Sequence, residues 1–524
     1  MLDSARHLIG ILPPSLFSFS DEGARRVKLA FWSTMGIGLA CHLFGFASLS
    51  PSHDYLFNLF YTHEEYIHQI SLGRTFVPAL IEATGSVASM PLANGLLGLL
   101  FLSSASALIS HAFRLNATRS VALGIVLATN RTVTALTATY VPWLPAQCLA
   151  SLLAVCAFWF WGESARGSLS RGGVCARLAA GAACLLIALG LYQASVSVTL
   201  VLISIRAIVW LLLGDRDSAG VLRDGLRGAA MVVAAGAAYY IAMRGVLAIS
   251  GIGIADAYNS LANVWTNTEG AVSRLLNTYL QVWDLLFGRT VASAYPLVVA
   301  RGYDVLVALG SALVIILAVR RSRPSWSGAL IALALLVTLP MFANISRMLN
   351  SETHDLMYYA VWLLVLLPIV LIGKTPCREG LSNSAVLLLG AMLLLMNAQT
   401  ANLCYQVKRL EYDATQSLMT EVFTRIDGIS GYREGETPVI FLGDVRESLV
   451  ALPESEKVRR ITGMEQPVIS AGYTAHSYVR YVLGRKANVQ PADGDDVNAL
   501  RSGRGAFPAG DAVWMQDGVV YALL

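Results

Sequence analysis

Asp54, Glu64, Glu65 and Arg74 stand together in a stretch, residues 49–90, that opens LSPSHDYLFNLFYTHEEYIHQISLGRT, while the apolar segments around it are nearly free of carboxylates. A carboxylate at a membrane face, in water and beside a lipid head group, can take the proton of a hydroxyl that attacks a lipid-linked substrate. Asp54 is the first acid after the first long apolar run and the candidate for that base; Ser-His-Asp before an aromatic run also reads as a helix cap. Glu64 and Glu65 are adjacent, and neighbours on a helix point apart, so at most one can serve such a site. His63 and His68 are five apart, which does not match the i, i+4 spacing of a helical metal pair, and no metal is expected there. Arg74, directly after Gly73, carries a fork suited to phosphate or carboxylate, either on a ligand or on Glu64 or Glu65.

Further along, Arg131 and Arg206 lie inside apolar runs and Arg244 near the end of another, with no carboxylate in the same runs. Ionisable groups at such places are costly and face the protein interior or a cavity. Their common sign favours an anionic ligand such as a polyprenyl phosphate over a proton relay; carbonyl pairing or snorkelling is the plainer reading. Arg301 and Arg347 sit at the ends of later runs, where one of them could hold a phosphate by charge-assisted hydrogen bonds or simply be a rim charge. Tyr192-Gln193-Ala194-Ser195 fills a tight turn between two runs and could meet sugar hydroxyls.

The elements that must position these residues are membrane helices. Of 524 residues, 55% are hydrophobic and 14% charged, with a mean hydropathy of +0.58. Apolar runs of about 17–25 residues can each span the hydrocarbon core. They are continuous rather than alternating, so they form helices and not barrel strands. About eleven are read, near 29–48, 91–113, 119–137, 144–161, 177–192, 196–214, 228–249, 303–319, 327–343, 357–373 and 383–401. Basic residues fall in alternate loops, from Arg25, Arg26 and Lys28 through Arg114 and Arg119, Arg216, Arg223 and Arg227, to Arg320 and Arg321, which predicts a cytoplasmic N-terminus. An odd span count then puts the C-terminus outside. The formal net charge of +4 resides mostly in those loops, so nucleic acid is not expected as a partner. The seven cysteines form no CxxC or Cys/His cluster, and neither disulfides nor zinc are expected.

Three parts follow: a cytoplasmic juxtamembrane segment at 1–28 without the layout of a cleavable signal, a membrane module at 29–403 with outer loops 49–90 and 250–302, and an outer domain at 404–524. An interfacial helix is expected within the first loop. Leu275, Leu276, Tyr279, Val282, Trp283 and Leu286 recur at helical spacing in the second. The tail predicts a small α/β domain: a helix in ATQSLMTEVFTRIDGI, a strand in TPVIFLGD, a short helix in AHSYVRYVLG, and a hairpin in AVWMQDGVVYALL turned by Asp-Gly. At this length it can bury its own core.

The acidic first loop with Gly73-Arg74, the LYQAS turn at 191–195, and a tail containing RIDGISGY, PVIFLGD and SYVRYVLG resemble the GtrII-type glucosyltransferases, membrane enzymes that modify O-antigen in Gram-negative bacteria. That family is similar to the wider GT-C class of polytopic transferases. The resemblance implies a GT-C-like bundle in the inner membrane and a polyprenyl-phosphate sugar donor, usually undecaprenyl-phosphate glucose. It also implies inverting transfer at the periplasmic face without nucleotide sugar, to a polysaccharide or lipid-linked glycan acceptor. Asp54 takes the base role, with Glu64 or Glu65 as substitute. Arg74, Tyr192 and Gln193 become substrate contacts, and the donor phosphate falls to one or more of Arg74, Arg244, Arg301 and Arg347. No cofactor is implied. Two departures stand out: Asp54 is followed by Tyr55 where members often carry a second acid, and TYVPWLPAQ after the third span lacks an acid associated with that place. The rivals are a glycan polymerase or ligase acting on the same lipid-linked material, and a flippase or transporter. The sequence shows neither the repeats nor the broken helices at matched positions that transporters often have.

Overall fold

The computed structural model describes residues 21–85, 88–165, 169–255, 269–287, 296–322, 324–350, 353–374, 379–469, 474–492 and 500–524. Residues 1–20 of the expected juxtamembrane segment at 1–28 and parts of the two long loops lie outside them, and residues 21–28 belong to the first helix. The chain is mainly α-helical, a polytopic bundle with a small sheet near its C-terminus. Ten helices among the described residues are long and apolar enough to cross a membrane, and an eleventh apolar helix is shorter.

In chain order the first span is α1 (Asp21–Ala47), followed by three short helices of the first loop, α2 (His53–Phe57), α3 (His63–Ser71) and α4 (Val77–Thr84). The single interfacial helix expected here is thus divided: Asn58 ends α2, and Thr62 restarts the chain by accepting the backbone N–H of Glu65 at 3.3 Å. Spans α5 (Pro91–Ala112), α6 (Ala117–Thr129), α7 (Arg131–Thr139), α8 (Leu144–Ser164), α9 (Arg171–Leu191), α10 (Val196–Leu213) and α11 (Ser218–Ser250) follow. Helix α11 begins ten residues before its apolar run because Asp217 caps it and Asp224, buried in its first turns, is paired by Arg216 and Arg227. After a surface helix α12 (Ala271–Phe287) come α13 (Leu297–Ser322), α14 (Trp326–Ala343), the short α15 (Ile345–Leu349), α16 (Tyr359–Ile372) and α17 (Glu379–Asp427). On α12 the buried residues are Thr278, Val282 and Leu285, while Leu276 and Trp283 of the expected apolar stripe are exposed. A helix lying on a membrane has lipid as solvent on one side, so an apolar residue need not be buried in protein there.

The third span is not continuous. α6 and α7 meet at Asn130, whose backbone is extended, with ψ 164°. Its side chain accepts from Val133 N–H at 3.2 Å and donates to the Val126 and Leu127 carbonyls at 2.9 and 3.0 Å, satisfying groups the break would otherwise strand. The sequence expectation of an unbroken helix fails here because Thr-Asn-Arg is hidden in an otherwise apolar run. Arg131, the first residue of α7, does have a carboxylate partner: Asp355, just ahead of α16, stands with Oδ1 2.8 Å from its Nε.

The tail continues from the bundle without a linker, since the 49-residue α17 carries the chain through position 404 into the domain. Strands β1 (Pro438–Leu442), β2 (Asn488–Gln490), β3 (Val513–Gln516) and β4 (Val519–Leu523) form a sheet of order β2-β1-β4-β3, parallel except for the β3–β4 hairpin. Asp517 and Gly518 turn that hairpin at φ +50° and +77°, both positive as the Asp-Gly signal predicts. Met419, Val422, Phe423 and Ile426 at the end of α17 pack on Phe441, Val520 and Ala522 of the sheet.

The domain docks on the membrane face that also carries the first loop, here termed the domain face. Arg446 bonds Glu411 of α17 at 2.5 Å and the carbonyls of Met464 and Gln466 at 3.1 and 2.8 Å, which fixes the 461–469 segment. Thr462 donates to Asp355 Oδ2 through its N–H at 2.8 Å and its hydroxyl at 3.1 Å, while its carbonyl accepts from Thr139. Gly463, at φ +87°, lies so close that a Cβ there would sit 2.5 Å from the Thr139 hydroxyl. Replacing Asp355 by Asn removes the carboxylate that faces the buried Arg131 guanidinium, a loss on the order of 3–5 kcal/mol. Thermal unfolding in detergent is expected to shift down by several degrees in Asp355→Asn and to recover in part when Arg131→Met is added; an unshifted single variant would show that the pair does not hold the bundle.

Candidate functional site

The first loop builds a buried relay from residues one helical turn apart. Thr62 sets the phase of α3 so that Glu65 turns inward, 1% exposed, while Glu64 stays in solvent. The two adjacent acids are thereby separated, as their positions on one helix require. Gln69, one turn on, donates to Glu65 Oε1 at 2.5 Å, and Arg74 donates to Gln69 Oε1 at 3.3 Å. The Arg74 guanidinium lies 5.5 Å from the centroid of the Tyr192 ring, in cation–π range. The acidic loop and the YQAS turn are thus brought into contact.

A glycine makes this approach possible. Gly73 has φ +78°, and its carbonyl accepts the Tyr239 hydroxyl of α11 at 3.0 Å. Gln193 donates to the Leu72 carbonyl at 2.8 Å and to the Tyr239 hydroxyl at 3.0 Å, and Phe76 N–H reaches the Gly190 carbonyl at 3.0 Å. A Cβ on Gly73 would stand 2.6 Å from the Tyr239 oxygen and 3.1 Å from Gln193 Nε2. Tyr239 and Gln69 escaped the sequence reading; the one trace of Tyr239 was a hydroxyl-bearing residue within an apolar span, and its partner is 166 residues away.

Burial pushes the Glu65 carboxyl up to about 7; the Gln69 hydrogen bond and the Arg74 charge pull it down, and the negative charge of Asp54 adds to the rise. Its second oxygen, Oε2, is buried without a hydrogen-bond partner among the described residues, and so is the Tyr61 hydroxyl. Asp54 opens α2 with a third of its side chain in solvent, and His53 Nε2 stands 3.7 Å from its Oδ1. That histidine is held neutral, since burial first and then the charges of Lys408 and Arg446 lower it to about 3. Asp54 and Glu65 are therefore two interacting carboxylates, one reached by solvent and one enclosed.

The remaining arginines are dispersed. Arg206 donates to the Ala112 carbonyl at 2.8 Å and lies over Phe113 and Trp210, the carbonyl-pairing role open to it from the sequence. Arg244 is exposed near the end of α11. Arg347 is buried and paired with Glu269 at 2.7 Å, which holds that carboxyl down at about 2. Arg301 lines a cavity of about 460 Å³ together with Arg131, Lys457 and Arg460, the acids Asp304 and Glu456, and apolar walls that include Leu285, Leu286, Leu393, Met396 and Trp362. A second cavity of about 20 Å³, room for about one water, lies between Tyr192 and Ser195 on one side and Thr132 and Leu356 on the other. Trp362 donates to Thr132 at 3.2 Å, so the relay, the small cavity, the broken helix and the large cavity follow one another across the domain face.

The chain matches the family described as Glucosyl transferase GtrII over residues 43–396, more than half of its length. It belongs to that family. No curated protein and no solved structure matches it. Membership of the GtrII family makes it a glycosyltransferase with a sugar donor and an acceptor, set in a membrane bundle. All nine sequence candidates fall within the matched residues, and the sheet of the C-terminal domain falls outside them.

Two outcomes follow from this geometry. Gly73→Ala forces a left-handed position on a Cβ-bearing residue, about 1–2 kcal/mol before any clash, and displaces Arg74 from Tyr192. Sugar transfer by the purified variant is expected to fall about tenfold or more, and an unchanged rate would detach this turn from the site. Glu65, protonated in the folded chain up to about pH 7 against an ordinary value of 4.5, keeps a proton that the unfolded chain releases earlier. Stability should therefore decline as pH rises from 4.5 to 7, by an amount on the order of 3 kcal/mol, and Glu65→Gln should flatten that slope in melting curves taken across the window.

Proposed function

We propose that this glycosyltransferase moves a sugar, glucose by its family, from a polyprenyl-phosphate donor to an O-antigen or other surface polysaccharide acceptor. The domain face is then the periplasmic side of the inner membrane, with the N-terminus and the basic loops in the cytoplasm. The observation that supports this most is the pair Asp54 and Glu65 assembled with Arg74, Tyr192 and Gln193 at a membrane face, in a chain of the GtrII family.

In this reading the acceptor hydroxyl attacks the anomeric carbon as its proton passes to Asp54, the carboxylate that solvent and a glycan can reach. The new C–O bond forms on the face opposite the phosphate, the old C–O bond breaks, and its electron pair leaves on the phosphate oxygen, so configuration inverts. Such a displacement depends mainly on alignment and on stabilising charge at the leaving oxygen. Arg74 orients the sugar with Tyr192 and Gln193, and Arg301 faces the phosphate in the large cavity. Glu65 is the second carboxylate, poised near neutrality to replace or assist Asp54. The broken third span is a feature shared with transporters, but a transporter would move lipid-linked sugar without forming a new glycosidic bond.

The test is the mass of surface polysaccharide repeat units in a strain lacking the gene and complemented with wild type, Asp54→Asn or Glu65→Gln. A hexose-sized loss in the deletion and in Asp54→Asn is expected, with transfer reduced by 100-fold or more. An unchanged repeat mass would sink the reading, and altered chain length with intact side branches would point to a polymerase. The pH profile tests the part of Glu65: an acid limb near pH 7 that disappears in Glu65→Gln belongs to Glu65, and one that persists there removes Glu65 from the proton transfer.

A further inference from the structure

The family match ends at residue 396, yet one wall of the 460 Å³ cavity is built beyond it, by Lys457, Arg460 and Ile461 of the C-terminal domain. That wall is firmly attached to the membrane module. Val458 and Ile461 are fully buried among Ala135 and Ala138 of α7 and Cys404 of α17. Thr462 is tied in both directions to Asp355, accepting the Asp355 N–H at 3.0 Å and donating to its carboxylate, and Gly463 closes against Thr139. The same cavity is lined by Arg301 and Asp304 on α13, by Glu456, and by Arg131 on the broken helix, the last paired with Asp355. Lys457 also pairs with Glu454, so its charge is shared but remains at the cavity wall. One cavity therefore carries basic groups from two distant parts of the chain and apolar side chains from the spanning helices.

We infer that the C-terminal domain supplies half of the anion grip of the donor site: Lys457 and Arg460, with Arg301 opposite, hold the phosphate of a polyprenyl-phosphate lipid whose chain lies against Leu393, Met396 and Trp362. This rests on the donor class proposed above and adds a second part of the chain to it. The charge balance suits the reaction. A sugar phosphodiester carries a single negative charge, and the released monoester carries about −1.5 to −2 at neutral pH. Cations at the cavity wall thus bind the leaving group more strongly than the intact donor, which favours bond cleavage. An ordinary two-chain phospholipid head group is the other source of such a phosphate, and the domain's grip is assigned to the single-chain polyprenyl lipid because the cavity adjoins the site of a glycosyltransferase.

The experiment uses the full chain in neutral phosphatidylcholine nanodiscs and titrates undecaprenyl phosphate, reading the fluorescence of the tryptophans, Trp362 among them. Undecaprenol without the phosphate and discs containing phosphatidylglycerol are the control arms. Wild type is expected to bind the phosphate at least tenfold more tightly than Lys457→Gln/Arg460→Gln, with equal melting temperatures, no such difference for undecaprenol, and little competition from phosphatidylglycerol. Lys457→Met with Arg460 intact serves if the double variant melts lower, and is expected to weaken binding at least threefold. Equal binding by wild type and variants overturns the domain's part and leaves the donor proposal standing. No saturable binding by wild type overturns both. Full competition by phosphatidylglycerol makes the cavity a general anionic-lipid site and also overturns the inference.

Discussion

The buried pair of Arg131 and Asp355 is the interaction on which the arrangement of the domain face depends. A guanidinium inside a bundle needs a compensating charge, and the broken span that carries Arg131 contains no carboxylate. Asp355 arrives from the irregular segment before α16, and with one oxygen on Arg131 it offers the other to Thr462 of the domain. Its backbone carbonyl accepts the Thr132 hydroxyl at 2.7 Å, two residues past Asn130. The break at Asn130, the irregular entry to α16 and the docking of the domain therefore meet at one neutralised charge. A discontinuity in a membrane span is tolerable only where protein rather than lipid surrounds it, and this span is 89% buried.

A second constraint acts in the first loop. Turning Glu65 of α3 inward removes it from water, and its hydrogen bond from Gln69 leaves Oε2 without a partner among the described residues. Such a carboxyl keeps its proton to near neutrality and destabilises the fold when it ionises, a cost that structure alone does not require. Nearby Glu64 stays in solvent. The difference arises from one capping residue, Thr62, which decides which of two identical side chains faces the protein. Strain of this kind concentrated at one face of one loop is what a proton-transfer site would need.

Much of this could be read from the sequence. The spans, the surface helix, the Asp-Gly hairpin and the separation of the adjacent acids depend on local periodicity and turn chemistry, which neighbours in sequence determine. The missing parts depend on distant partners. The helix break at Asn130 is a local event, but Thr129-Asn130-Arg131 is a short polar stretch in an otherwise apolar run, so periodicity carried no mark of it. Asp355 meets Arg131 from another span, Tyr239 meets Gly73 across most of the membrane module, and Thr462 comes from a domain whose fold had to be known first. Arg347 read as a rim charge with a free choice of anion; its actual partner, Glu269, lies in a loop with no visible tie to it.

The arginines divide by what surrounds them. Those enclosed by the bundle or the loops are committed to protein groups: Arg131 to Asp355, Arg206 to a carbonyl and two rings, Arg347 to Glu269. A ligand phosphate could displace such a partner only by leaving a buried carboxylate or carbonyl unpaired, which costs as much as the new contact gains. Basic groups at the wall of the large cavity face a different choice, because Lys457 and Arg460 are exposed and solvent is the alternative to their acidic neighbours. A transient anion is therefore best met where Arg301, Lys457 and Arg460 converge, while the enclosed pairs hold the walls in place as the ligand comes and goes.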